Sequence, residues 1–149
     1  MNKIKFAVVG CGHIGKRHAD MIQANEHAEL VALVDTDENK KTLAAEMSAP
    51  FFSSAEDFIA SGIDCSVVNI ATPNGFHAIQ SLQFLNAGKN VVIEKPMALS
   101  TQDAEQIIHT ALQVNKSVFV VMQNRYSPPV AWLKQIVQQK ILGDRKSVV

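Results

Sequence analysis

The chain has 149 residues, 47% hydrophobic and 19% charged. That length fits one domain with a real core, and the composition excludes a disordered chain. Lys and Arg number 14 and Asp and Glu 14, for zero formal charge with no basic tract, so nucleic acid and anionic membranes are not expected partners. Met1-Asn2-Lys3-Ile4-Lys5 leads straight into an apolar run, with no signal peptide and no run of membrane length. Cys11 and Cys65 form no metal-like pair, which suits a reduced, cytoplasmic protein.

Short apolar runs alternate with helical periodicity along the whole chain. In order, the pattern predicts a strand over 4–9, a helix over 13–24, a strand over 29–34 and a helix over 37–48. A short strand at 50–52 and a helix at 54–60 follow, then a strand at 65–71, a helix at 75–87 and a strand at 90–94. A helix at 101–114, a strand at 117–122 and a helix at 128–141 complete the series. Runs such as Val67-Val68-Asn69-Ile70-Ala71 and Val118-Phe119-Val120-Val121-Met122 are almost continuously apolar, as expected of parallel strands covered on both faces. Ser53 with Glu56 has capping-box spacing, and Ser100 with Asp103 has a near variant. Gly88 stands where a left-handed cap should end a helix. Trp132, Ile136 and Val137 share one helical face that should cover apolar surface. The whole reads as an α/β, doubly wound (Rossmann) sheet, mostly parallel, of order 3-2-1-4-5-6, with helices on both faces.

The first strand closes on Gly10-Cys11-Gly12-His13-Ile14-Gly15, and the second closes on Asp35, twenty residues beyond Gly15. A strand, a glycine turn, a helix, a strand and an acid form the order a dinucleotide needs. Gly10 permits the sharp turn, Gly12 lets backbone approach a pyrophosphate, and Gly15 lets the helix pack close to the sheet. The pyrophosphate would sit at the helix N-terminus, where unpaired N–H groups favour negative charge. His13 and Ile14 lie inside this turn, and His13 would touch phosphate through its backbone. Asp35 suits the two hydroxyls of an adenosine ribose and would repel a 2′-phosphate, so it favours NAD over NADP. Read alone, the hexapeptide is only a glycine-containing turn and Asp35 a solvated acid; the flanking elements carry the functional reading.

Ligands of such a sheet bind beyond the carboxyl ends of its strands. Those ends hold Thr72-Pro73-Asn74 with His77, then Glu94-Lys95-Pro96, then Gln123-Asn124-Arg125-Tyr126. A lysine there can hydrogen-bond a substrate hydroxyl and stabilise the oxyanion that develops as hydride leaves. The Lys95–Pro96 bond is a candidate cis bond, although X-Pro bonds are mostly trans. Each residue also has a plain structural reading. Asn74 can be the N-cap of the next helix, and His18 and His77 can be packed, hydrogen-bonded residues. Lys95, Glu94 and Arg125 can be solvated charges, and Cys11 a small turn residue.

These motifs, taken in order, closely resemble those of the glucose–fructose oxidoreductase/inositol dehydrogenase/MocA family. The resemblance rests on the glycine turn with His18, Asp35, Ala71-Thr72-Pro73-Asn74 with His77, Ala87-Gly88-Lys89, Val92-Ile93-Glu94-Lys95-Pro96, and Arg125-Tyr126 with Pro128. It implies an NAD(P)-dependent dehydrogenase acting on the CH–OH group of a sugar, nucleotide-sugar or cyclitol. It also implies that Thr72, Pro73 and Asn74 line the path from adenosine to nicotinamide. Glu94 and Lys95 would lie at the nicotinamide end, with Lys95 on the substrate and Arg125 approaching the nicotinamide side.

The resemblance further implies a second α/β domain that supplies most of the substrate pocket, an Asp/His acid–base pair and the interface of a homo-oligomer. No Asp-x-x-x-His follows Tyr126. The expected division is a cofactor-binding domain over 1–126, then over 127–149 a helix and the beginning, after Gly143, of the second domain's first strand. The chain is thus expected to be an N-terminal fragment, natural or engineered, that binds NAD without useful turnover. A non-catalytic sensor of dinucleotide or sugar, and a Rossmann methyltransferase using S-adenosylmethionine, are the competing readings; Lys95 speaks against the first and Glu94-Lys95-Pro96 against the second.

Overall fold

Six short apolar runs become the strands of one sheet in the computed structural model, which describes residues 3–141 and 143. The strands are β1 (Ile4–Val9), β2 (Ala28–Val34), β3 (Phe51–Phe52), β4 (Val67–Ile70), β5 (Asn90–Ile93) and β6 (Val118–Val120). They run in the order β3-β2-β1-β4-β5-β6 and every neighbouring pair is parallel. The expected order is therefore found, with no antiparallel member among the described residues. The switch in direction of winding falls at β1, between β2 and β4.

The helices are α1 (His13–Gln23), α2 (Lys41–Glu46), α3 (Ala55–Ala60), α4 (His77–Asn86), α5 (Thr101–Gln113) and α6 (Pro128–Gln138). Two expected helices are shorter than their pattern because each opens with a 3-10 turn, Glu38–Lys40 before α2 and Asn74–Phe76 before α4. Alternation within each strand divides the core. Ala7, Val9, Val68, Ile70, Val91 and Ile93 meet Phe58 of α3, Phe84 and Leu85 of α4, and Ile107 of α5. Val8 and Leu33 point the other way, onto Ala19 and Ile22 of α1 and Ala44 of α2. Phe58 and Phe84 meet with tilted rings, 6.2 Å between centroids, and burying each such side chain is worth about 1.5–3 kcal/mol.

Local signals place the ends. Ser100 accepts the N–H of Asp103 at 3.0 Å and caps α5 as expected. The cap of α3 falls one residue later than its pattern suggests. Ser54, not Ser53, accepts the N–H of Asp57 at 3.0 Å and donates to its carboxylate at 2.7 Å. Gly88 has φ +75° after α4, the left-handed turn expected there. The apolar stripe of α6 does not cover a core: Trp132 is 64% exposed and Val137 60%, and no residue of α6 is fully buried. The segment 144–149, read as a further strand, lies outside the described residues.

Register brings the strand ends into line. Val9 pairs with Val34 on one side and with Ile70 on the other, and Ile70 pairs with Ile93. Gly10, Asp35, Ala71 and Glu94, each the next residue of its strand, therefore stand in one row along the carboxyl edge.

Candidate cofactor site

Each glycine of the turn meets a different constraint. Gly10 has φ +88°, and a Cβ there would lie 2.8 Å from the backbone of Ala71 and Thr72. A Cβ on Gly15 would lie 1.7 Å from the carbonyl oxygen of Gly10, so only a bare Cα lets α1 start so close to β1. Gly12 faces open space, with nothing within 4 Å of its missing Cβ. It is the N-cap of α1, without a side-chain cap, and the first turn of α1 carries no acid. The open cradle beside a bare helix N-terminus is the room and the polarity a pyrophosphate requires.

Asp35 is built into this turn. Its Oδ2 accepts the N–H of Cys11 at 2.6 Å and its Oδ1 accepts the N–H of Asp37 at 2.9 Å. A cavity of about 580 Å³ opens beside it, walled by Gly10, Gly12, His13, Ile14, Asp35, Thr72 and Pro73 among the expected residues. Sequence reasoning missed Phe76, Gln80 and Lys40, which line the same cavity. Gln80 lies one turn into α4 and accepts a hydrogen bond from Thr72 Oγ1 at 2.6 Å. No local pattern marks it.

A second cavity of about 510 Å³ lies on the other side of Ile14, which lines both. Glu94, His18, Asn69 and Gln123 meet there. Glu94 Oε1 is 2.9 Å from His18 Nε2, and Asn69 Nδ2 is 3.1 Å from His18 Nδ1. His18 is thus a partner of Glu94 and not only a packed residue. The available signal was Asn69, the one polar side chain inside an apolar strand.

Other expected residues sit apart from both cavities. Lys95 is exposed just beyond Glu94, and the Lys95–Pro96 bond is cis. Arg125 is exposed on the 3-10 turn Gln123–Tyr126. Asn74 is exposed and opens its turn without capping it; Pro73 and Phe76 occupy the cap positions. His77, which the strand-end pattern puts among the residues expected to contact cofactor, is instead wholly buried and lines neither cavity, in line with its packed reading. Its ring nitrogens lie 2.7 Å from the carbonyl oxygen of Pro96 and 2.8 Å from that of Thr72, bracing the loops after β4 and β5.

Burial pushes the Cys11 thiol up to about 12, with the Asp35 carboxylate adding to the effect. Cys65 is also raised, again chiefly by burial. Neither is a poised nucleophile.

Residues 4–122 match the model of the GFO_IDH_MocA oxidoreductase family, described as its NAD-binding Rossmann fold. The chain belongs to the glucose–fructose oxidoreductase/inositol dehydrogenase/MocA family. It is 33% identical over 142 residues to an uncharacterized oxidoreductase of Streptococcus pneumoniae, covering 95% of this chain and 38% of that one. It is 30% identical over 135 residues to a scyllo-inositol 2-dehydrogenase (NADP(+)) of Bacillus subtilis, covering 89% and 40%. Among solved structures, the WlbA dehydrogenase of Bordetella pertussis, in complex with NADH and UDP-GlcNAcA, superposes with TM-score 0.88 at 36% identity. That match covers 93% of this chain and 43% of the other. The chain therefore spans about two fifths of the length of these relatives. It is an NAD-binding Rossmann domain of an oxidoreductase family. No described helix is long and apolar enough to cross a membrane.

Proposed function

We propose that this domain holds NAD in preference to NADP and serves a dehydrogenase that acts on a carbinol of a sugar, nucleotide-sugar or cyclitol. The observation that carries the reading is Asp35, held by two backbone N–H groups at the mouth of the glycine-turn cavity. A carboxylate so fixed offers its remaining lone pairs to paired ribose hydroxyls and opposes a 2′-phosphate. Gly12 and the first N–H groups of α1 would take the pyrophosphate, and Thr72 and Pro73 would border the path to the far side of Ile14. Glu94 would face the nicotinamide half, with Arg125 approaching from β6.

Bound nicotinamide supplies a hydride acceptor. The chain's own part in the chemistry would fall to Lys95. Its ammonium, exposed at the sheet edge, would donate a hydrogen bond to the substrate oxygen and stabilise negative charge as the C–H bond breaks. The hydroxyl proton would go to a base outside residues 1–126, in a substrate domain that also forms the homo-oligomer interface. Residues 127–149 would lead into that domain. On this reading the 149-residue chain binds NAD and does not turn over.

Calorimetric titration with NAD and with NADP tests the assignment. Saturable binding, tighter for NAD, is expected. Failure to bind either, or a preference for NADP, would overturn it.

A further inference from the structure

Three elements bring one side chain each to the cavity on the far side of Ile14: His18 from α1, Asn69 from β4 and Glu94 from the end of β5. Alternation within the strands explains the meeting. Val68, Ile70, Val91 and Ile93 point into the core under α4 and α5, so Asn69 and Glu94 point to the opposite face, where α1 lies. His18 stands on α1 between the core-facing Gly15, Ala19 and Ile22.

The Glu94 side chain is 13% exposed, and a carboxylate so far out of water needs hydrogen-bond partners. It has two among the described residues: His18 Nε2 at 2.9 Å on Oε1, and the N–H of Lys95 at 3.3 Å on Oε2. The first is the shorter bond. His18 is itself 14% exposed, and its other nitrogen faces Asn69 Nδ2 at 3.1 Å. An amide nitrogen only donates, so Nδ1 must accept. The ring proton then sits on Nε2, aimed at Glu94. Asn69 sets the tautomer, and its own Oδ1 is left buried and, among the described residues, unpaired. Turning the amide round would pair that oxygen, but it would leave two N–H donors buried without acceptors and demand a second ring proton.

We propose that His18 is a positioning residue: as a neutral imidazole protonated on Nε2 and fixed by Asn69, it holds the Glu94 carboxylate toward the nicotinamide half of the cofactor. This rests on the cofactor reading given above. It adds a residue that acts through another, and it gives a purpose to a polar side chain placed inside an apolar strand. His18 does not touch the cofactor in this arrangement, and Lys95 keeps its own task.

Two measurements on the 149-residue chain test it. Nitrogen-15 NMR should show His18 protonated on Nε2 with Nδ1 bare. The second is NADH affinity in a double-mutant cycle. His18→Leu and Glu94→Gln are each expected to weaken NADH about tenfold, the range for one hydrogen bond to a charged group. The double variant should be no weaker than Glu94→Gln alone, and His18→Gln, which restores a donor, should recover most of the loss. Additive losses in the double variant, or no recovery with His18→Gln, would reduce His18 to packing. A proton on Nδ1, or on both nitrogens, in a chain that binds NADH would overturn the positioning role and spare the cofactor reading. A wild-type chain that binds no dinucleotide would overturn both, whatever the tautomer.

Discussion

Cys11 donates its backbone N–H to Oδ2 of Asp35 at 2.6 Å, so the acid at the end of β2 is fastened to the glycine turn at the end of β1. The carboxylate proposed to select NAD and the turn proposed to hold the pyrophosphate are therefore tied to each other. Asp35→Ala removes the charge and releases this N–H. NAD binding is expected to weaken by about 10–100-fold, the range for hydrogen bonds to a charged group. The advantage of NAD over NADP should shrink with it, because the repulsion of a 2′-phosphate goes too. Titrating the variant with both dinucleotides checks the point.

Gly12 and Gly15 should separate binding from folding. Gly15→Ala drives a Cβ into the carbonyl oxygen of Gly10 and is expected to cost on the order of 1–3 kcal/mol or more. Gly12→Ala meets nothing within 4 Å, and its φ of −71° suits any residue. It should cost within about 1 kcal/mol, yet fill the cradle and weaken NAD at least about tenfold. Thermal melts and calorimetry on the two variants give the comparison. Unchanged NAD affinity in Gly12→Ala would place the pyrophosphate elsewhere.

Cys11 should resist alkylation at neutral pH while the protein is folded, since burial and Asp35 push its thiol up to about 12. The same shift sets a sign for stability. The folded thiol stays protonated while the unfolded one ionises from about its ordinary value of 9.0. The contribution is thus fully present below pH 9 and is lost as pH rises toward 12. Denaturant titrations across that window should show a decline for the wild type that Cys11→Ala lessens.

On the proposed function, Lys95→Ala in a chain that also carries the proposed substrate domain is expected to lower kcat by about 10²–10⁴-fold, the scale of a positioned proton-transfer or charge-stabilising group. NAD affinity should hardly change, because Lys95 is exposed and lines neither cavity. Steady-state kinetics with a sugar or cyclitol substrate decide this. An unaltered kcat would remove Lys95 from the mechanism.

The caps offer a check on the fold alone. Ser54→Ala and Ser100→Ala should each cost about 1 kcal/mol, as each loses the oxygen that accepts a helix N–H. Ser53→Ala should be nearly neutral, since Ser53 only reaches the Asp57 carboxylate at 3.4 Å from an exposed position.

The alternation of strands and helices, the glycine turn and Asp35 were legible in the sequence because each rests on local physics. A period of two or of 3.6 is visible in the residues themselves. The absence of a Cβ at Gly10, Gly12 and Gly15 is a property of those residues alone. The order of the strands followed from the doubly wound alternation of apolar strands and helices around a glycine turn.

The contacts that complete the site were decided by the tertiary structure. His18 and Glu94 are seventy-six residues apart, and they meet because β4, β5 and α1 share one face in one register. Shifting a strand by a single residue would turn Asn69 into the core and away from His18. His77 likewise reads as a first-turn histidine until the loops after β4 and β5 fold back onto its ring. The one-residue choice between Ser53 and Ser54 depended on where β3 ended. The sequence by itself determined which elements form and that they cradle a dinucleotide, because those signals are short-range. Only the packed sheet decided which side chains stand beside Glu94, because a face and a register exist only once the strands have paired.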